Sequence, residues 1–331
     1  MRRRAPWLLG LAALGGLVVL VLARGERPAS PSGAWMSRAG VEPRFVALDG
    51  VRVRYVRRGG GPSVVLVHGI ASSIYTWAEV LPALARSHDV IALDLPGFGG
   101  SDIPADFSGE RYPGLLGSFL DALGLARVTL VGHSLGGAVV SAFAAAEPGR
   151  VERLVLVDAA GFNLSPADRP GLLRVLGWPG AAALLDALPL RRRLLALGLR
   201  QVFHDDARVT PERVEEYLAP LARPGATAFM VRLLRDVDSM GLPEAIGRIR
   251  APTLVVWGRQ DAWVNIRDAD RFQSAIPGAR KSVIEGCGHV PQEERPQELI
   301  ALLLEFLASS SQGGSLGPTA NAGSDGPRAP P

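Results

Sequence analysis

Five short, continuous apolar runs, broken only by Thr129, recur along the chain: Val64 to Val67, Val90 to Leu93, Val128 to Val131, Leu154 to Val157 and Leu254 to Trp257. Runs of this length, rich in valine and leucine and lacking polar alternation, suit strands buried on both faces of a parallel sheet. Helix-like stretches separate them: Trp77 to Arg86, Tyr112 to Leu123, and Leu135 to Ala146, which closes on Glu147-Pro148-Gly149. Strands alternating with helices predict an α/β fold with a doubly wound, mostly parallel sheet. Ahead of them, Arg44 to Leu48 and Val51 to Val56 alternate in polarity and meet at Asp49-Gly50, a strong hairpin signal.

The alternation stops between residues 161 and 250, a Leu-, Ala- and Arg-rich stretch that reads as several helices inserted between two strands. The segments are Gly180 to Leu188, Arg191 to Phe203, Pro211 to Leu221 and Ala228 to Val237. Such an insertion lies over the carboxyl edge of the sheet, where open α/β sheets bind ligands, so it is expected to form a helical lid. An ordinary helical subdomain with no gating role is its plainer alternative.

Both termini read differently from this body. Met1-Arg2-Arg3-Arg4 precedes an uncharged run from Ala5 to Ala23, and Arg24-Gly25-Glu26-Arg27-Pro28 follows. Nineteen helical residues reach about 28 Å, close to the hydrocarbon thickness of a bilayer. Residues 1–24 therefore read as a signal-anchor whose arginines keep the N-terminus cytoplasmic and put the rest on the far side. A cleaved signal peptide ending at Val21-Leu22-Ala23, giving a secreted protein, is the alternative. Residues 25–40, rich in Pro, Gly, Ser and Ala, read as a linker, residues 41–308 as the folded domain, and residues 309–331 as a disordered tail.

The formal net charge of +4 sits entirely in residues 1–30, so the basic isoelectric point does not point to nucleic acid. Cys287 is the sole cysteine, which excludes an intramolecular disulfide. No two of the five histidines stand at a helical metal-binding spacing, and neither a metal nor a cofactor is expected.

Chemistry is concentrated in four places. Gly132-His133-Ser134-Leu135-Gly136-Gly137 stands directly after one apolar run and before a helix-like stretch. A serine on such a strand-to-helix turn has its Oγ exposed above the sheet edge, with helix N–H groups behind it. In a chain with 39 glycines the G-x-S-x-G pattern alone is weak, and its setting gives it weight. His68-Gly69-Ile70 ends the first run and opens on the same edge, so the N–H groups of Ile70 and Leu135 are candidates for an oxyanion hole. His68, upstream of the serine, is expected to be structural. Asp261 follows the last run and His289 lies in Gly286-Cys287-Gly288-His289-Val290-Pro291. Ser134 as nucleophile, His289 as base and Asp261 as orienting acid then follow in the chain order of a nucleophile-elbow hydrolase. Asp158, at the end of the fourth run, is the rival acid. Asp94 and Asp102 read as loop organisers, and Cys287 as a packed small residue.

Together the His68-Gly69 loop, the Asp94 to Asp102 loop, the Ser134 turn and the Asp261 and His289 loops resemble the α/β-hydrolase superfamily. The likeness spans about Arg44 to Leu307 and is to the lidded branch with esterases, lipases, carbon–carbon bond hydrolases, haloalkane dehalogenases, epoxide hydrolases and cofactor-free haloperoxidases. Dehalogenases and epoxide hydrolases of this family carry an aspartate at the elbow, where this chain has Ser134. The Gly-Gly-Pro-Gly signature of proline iminopeptidases is missing. The resemblance implies a serine carboxylic ester hydrolase acting through an acyl-enzyme on a small-molecule or lipid ester, with an apolar group held near Trp178, Phe203, Phe229 and Met230. Carbon–carbon bond hydrolysis, thioester hydrolysis and perhydrolysis use the same triad. A ligand-binding receptor on a hydrolase scaffold is the reading from another class.

Overall fold

The computed structural model describes residues 33–162, 191–236 and 242–309. Their centre is one eight-stranded sheet in the order β1-β2-β4-β3-β5-β6-β7-β8. The strands are β1 (Arg44–Leu48), β2 (Val51–Gly59), β3 (Ser63–Val67), β4 (Asp89–Leu93), β5 (Val128–His133), β6 (Val151–Val157), β7 (Thr253–Gly258) and β8 (Arg280–Ile284). The pairs β1–β2 and β2–β4 are antiparallel and all others are parallel. This is the doubly wound, mostly parallel α/β architecture that the apolar runs predict. Asp49 and Gly50 both have positive φ (50° and 80°), as a two-residue type I′ hairpin turn requires.

The apolar runs have a direct physical cause. Val65, Val67, Leu130, Val255 and Trp257 join a core on one face of the sheet, with Phe119, Val139 and Phe272 from covering helices. Their neighbours Val64, Leu66, Val131, Leu254 and Val256 join a second core on the other face, with Trp77, Leu81, Leu299 and Leu303. With both faces covered, the central strand positions are apolar with few exceptions, such as the buried Thr129.

Helices cover Tyr112–Ala122 and Leu135–Ala146 close to the predicted bounds. The helix expected from Trp77 to Arg86 is instead a 3₁₀ turn, Ile74–Trp77, followed by a short helix, Val80–Leu84. Pro82 has no N–H to donate and is tolerated in a first turn, so the helix begins just ahead of it. Between β6 and β7 the described part of the insertion holds helices Arg191–Val202, Pro211–Leu221 and Ala226–Asp236, as the sequence predicts. The expected helix at Gly180 to Leu188, the apolar run from Ala5 to Ala23 and the tail from residue 310 lie outside the described residues.

Within the stretch expected as linker, Ala34–Arg38 forms a helix that packs on the body. Trp35 is buried edge-on to Tyr75, and Arg38 pairs with Glu212 of the insertion. Packed chain therefore starts ahead of residue 41. Among the described residues no helix is long and apolar enough to cross a membrane.

Candidate active site

The chain runs from β3 outward to β4 and then returns to place β5 on the other side of β3. A crevice opens outside the carboxyl ends of strands at such a reversal. The loop after β3 carries Gly69 and Ile70, and the turn after β5 carries Ser134. Next to β5, the strands β6, β7 and β8 end close to Asp158, Asp261 and His289 in turn. Adjacent strands thus deliver four reactive side chains to one rim from stretches of chain far apart in sequence.

Ser134 has φ 50° and ψ −118°, a strained conformation for a residue with a side chain. It is the residue between β5 and the Leu135–Ala146 helix, and its N–H is held by the Val157 carbonyl at 3.1 Å. The structure brings the three residues proposed from sequence together. Ser134 Oγ lies 3.0 Å from His289 Nε2, and His289 Nδ1 lies 2.8 Å from Asp261 Oδ2. These partners assign the tautomer: Nδ1–H donates to the carboxylate, which leaves Nε2 to accept from the hydroxyl. Asp261 Oδ1 accepts from the backbone N–H groups of Trp263 (2.7 Å) and Val264 (3.0 Å), so the carboxylate cannot swing away. The Trp263 indole stacks parallel to the imidazole, 6.1 Å between centroids.

Leu135 opens its helix, so its N–H has no intrahelical acceptor. Ile70 is among the residues lining the cavity above Ser134, and Leu135 follows Ser134 directly. His68 is fully buried, with Nδ1–H donating to the Gly69 carbonyl and Nε2 accepting from the Leu95 N–H. Burial lowers its pKa, and a neutral ring fits both bonds. His68 thus fixes the loop. Asp94 accepts from the N–H groups of Ile74 and Gly100 and pairs with Arg54, while Asp102 accepts from the Arg52 N–H. Cys287 is buried, and burial pushes its thiol pKa up.

A cavity of about 190 Å³ opens over Ser134 and His289. Its walls are almost wholly apolar: Leu195, Leu199, Leu218, Met230, Leu234 and Trp263 are among the lining residues. Of the side chains expected to hold an apolar group, Met230 lines it. Phe229 packs instead on Phe98 and Phe107, Phe203 packs with Leu199, Val214 and Tyr217, and Trp178 lies outside the described residues.

Sequence reasoning did not find how the insertion is fastened. The His289 N–H donates to the carbonyl of Val202, at the end of an insertion helix. Glu294, five residues past His289, accepts from the N–H groups of Gly288, His204 and Asp205. A Cβ on Gly288 would sit 2.5 Å from the Val202 carbonyl oxygen, so only glycine permits this approach. Beside it, buried Glu293 accepts from Thr76 and Tyr217 and pairs with Arg213. His133 Nε2–H donates to the His289 carbonyl at 2.7 Å, and burial, reinforced by the neighbouring His289, lowers its pKa far below the usual range. The one signal available was the acidic pair Glu293-Glu294, four and five residues past His289.

A family model described as alpha/beta hydrolase fold matches residues 62–296. The 2-hydroxy-6-oxo-2,4-heptadienoate hydrolase of Pseudomonas putida is 34% identical over 277 residues, 80% of this chain and 96% of that protein. Human monoacylglycerol lipase ABHD6 is 26% identical over 287 residues, 83% of this chain and 85% of its own. A membrane phospholipase A described as a bacterial virulence factor superposes with a TM-score of 0.72 at 28% identity, covering 91% of this chain and 97% of its own.

Proposed function

The chain belongs to the α/β-hydrolase fold family and is a hydrolase of that fold; from that premise we propose that it is a serine hydrolase cleaving carboxylic esters with apolar or lipid-like groups. Ser134 Oγ attacks the ester carbonyl while His289 Nε2 takes its proton. The oxyanion that forms accepts from the Ile70 and Leu135 N–H groups. Asp261 holds the imidazole tautomer and stabilises the imidazolium. His289 then protonates the leaving alkoxide, and a water activated by the same nitrogen releases the acid from Ser134. The observation that carries the reading is the 3.0 Å and 2.8 Å chain from Ser134 through His289 to Asp261, opening into an apolar cavity.

Carbon–carbon bond hydrolysis is the second reading, favoured by the heptadienoate hydrolase likeness. A dienoate substrate carries a carboxylate, which asks for a cationic partner. Among the described residues lining the cavity there is no Arg or Lys, which favours neutral esters. Turnover of p-nitrophenyl esters, monoacylglycerols and a 2-hydroxy-6-oxodienoate by the purified domain tests the choice. Esters are expected to exceed the dienoate in kcat/KM by about 100-fold or more. The opposite ranking overturns the ester assignment.

We further propose that residues 1–24 anchor the protein with the catalytic domain on the non-cytoplasmic side. The uncharged run from Ala5 to Ala23 behind three arginines supports this, as does the likeness to a membrane phospholipase A. Full-length protein is expected in the alkaline-carbonate-resistant membrane fraction with Met1 or Arg2 at its N-terminus. A soluble product beginning near residue 24 overturns the anchor.

A further inference from the structure

Asp158, the rival acid of the sequence, is not displaced from the site but built into it. It directly follows β6 with φ 42°, a backbone conformation uncommon for a residue with a side chain. The side chain is fully buried, and Oδ1 accepts the Gly258 N–H at 2.9 Å. Oδ2 is also buried, and no donor among the described residues reaches it. One oxygen of Asp158, one of Asp261 and one ring nitrogen of His289 all lie within 4.8 Å of one another.

Two ionised carboxylates this close, away from water, repel strongly, so one of them holds a proton. Asp261 already accepts three N–H donors, from His289, Trp263 and Val264, whereas Asp158 accepts one and has an oxygen to spare for a proton. The groups facing Asp158 are Asp261, His289, Glu294 and Cys287, and none of these is a standing cation. Burial first, and the Asp261 charge second, push the Asp158 carboxyl well above the usual carboxylate range. A proton on Oδ2 also supplies the partner that this oxygen otherwise lacks.

Resting on the triad reading above, we propose that Asp158 is a positioning residue: a neutral carboxylic acid that donates its O–H to Asp261 and takes over as the charged acid when Asp261 is removed. In Asp261→Ala the neighbouring charge is gone and the vacated volume admits water, so both causes that keep Asp158 protonated weaken. An Asp158 oxygen within 4.8 Å of the imidazole then has room to approach it.

The test is a double-mutant cycle on p-nitrophenyl butyrate hydrolysis. Asparagine keeps a donor toward Asp261 but cannot ionise. Asp158→Asn is therefore expected to cost about threefold in the parent background and at least about tenfold more than that in Asp261→Ala. Asp158→Leu, which removes the donor, is expected to cost at least about tenfold in the parent. Equal factors for Asp158→Asn in both backgrounds overturn the proposal.

A second readout needs no catalysis. A carboxyl whose pKa is raised by folding contributes stability that is fully present below its unfolded value, near pH 4, and lost as pH rises through the folded value. Asp158→Asn lacks this proton, so its Tm is expected to rise relative to the parent as pH increases from about 4 to 8. A Tm difference that stays flat across that range overturns the proposal. Full turnover by Ser134→Ala breaks the triad reading instead, while the Tm curves still report the Asp158 proton.

Discussion

Ser134→Ala is expected to lower kcat/KM for p-nitrophenyl butyrate by about 10⁴-fold or more, roughly 5.5 kcal/mol of transition-state stabilisation, and to end labelling by a fluorophosphonate probe. In the proposed mechanism the Ser134 hydroxyl is the group that attacks the ester carbonyl. It sits at the strained turn after β5, 3.0 Å from an imidazole nitrogen that has no other partner among the described residues. Removing one oxygen leaves the turn, the helix and the cavity in place, so the fold is expected to survive with an unchanged Tm. Binding and the backbone N–H groups persist, which sets the residual rate above that in water. A variant that keeps its turnover, or its label, removes Ser134 from the reaction.

Gly136→Ala is expected to cost about 10²-fold in kcat or more although no reacting atom is touched. A Cβ there would lie 2.3 Å from the Val67 carbonyl oxygen and 2.6 Å from that of His68. Both are backbone atoms at the end of β3, so no rotamer change relieves the overlap. The helix must back away from the strand and carry the Leu135 N–H with it, while Ile70 stays on the β3 loop. The distance between the two proposed oxyanion donors therefore widens. Overpacking of this kind costs about 1–3 kcal/mol, so a fall in Tm is expected together with the lost rate. KM is expected to move little, because the apolar walls come from the insertion. Wild-type kcat in this variant, with crystals showing the helix unmoved, counts against the tight-turn account.

The sequence was most legible where a local pattern has one structural solution. Val64 to Val67 and its counterparts admit few readings besides strands covered on both faces, and the order of Ser134, Asp261 and His289 fixed which strand ends to compare. Features made by contact between distant segments were not visible. Asp158 directly follows one strand and Asp261 lies three residues past another, and sequence presents them as competitors for one role. Only the adjacency of β6 and β7 makes them neighbours in space. Glu293 and Glu294 look like surface charge beside a proline, and their burial depends on donors from residues 76, 204, 205, 213 and 217. Phe203 and Phe229 were expected beside the bound apolar group because they lie in the insertion. Which face of an insertion helix looks inward is set by neighbours such as Phe98, not by the periodicity of the helix itself.

The stitching of the His289 loop to the insertion bears on how this protein can diversify. The segment that shapes the cavity also supplies, through Val202, His204 and Asp205, part of the frame on which the proposed general base rests. Specificity and proton transfer are therefore not separable modules. A chimera that exchanges residues 191–236 for those of a relative inherits a new cavity and a displaced imidazole at once, unless Gly288 to Glu294 travels with it.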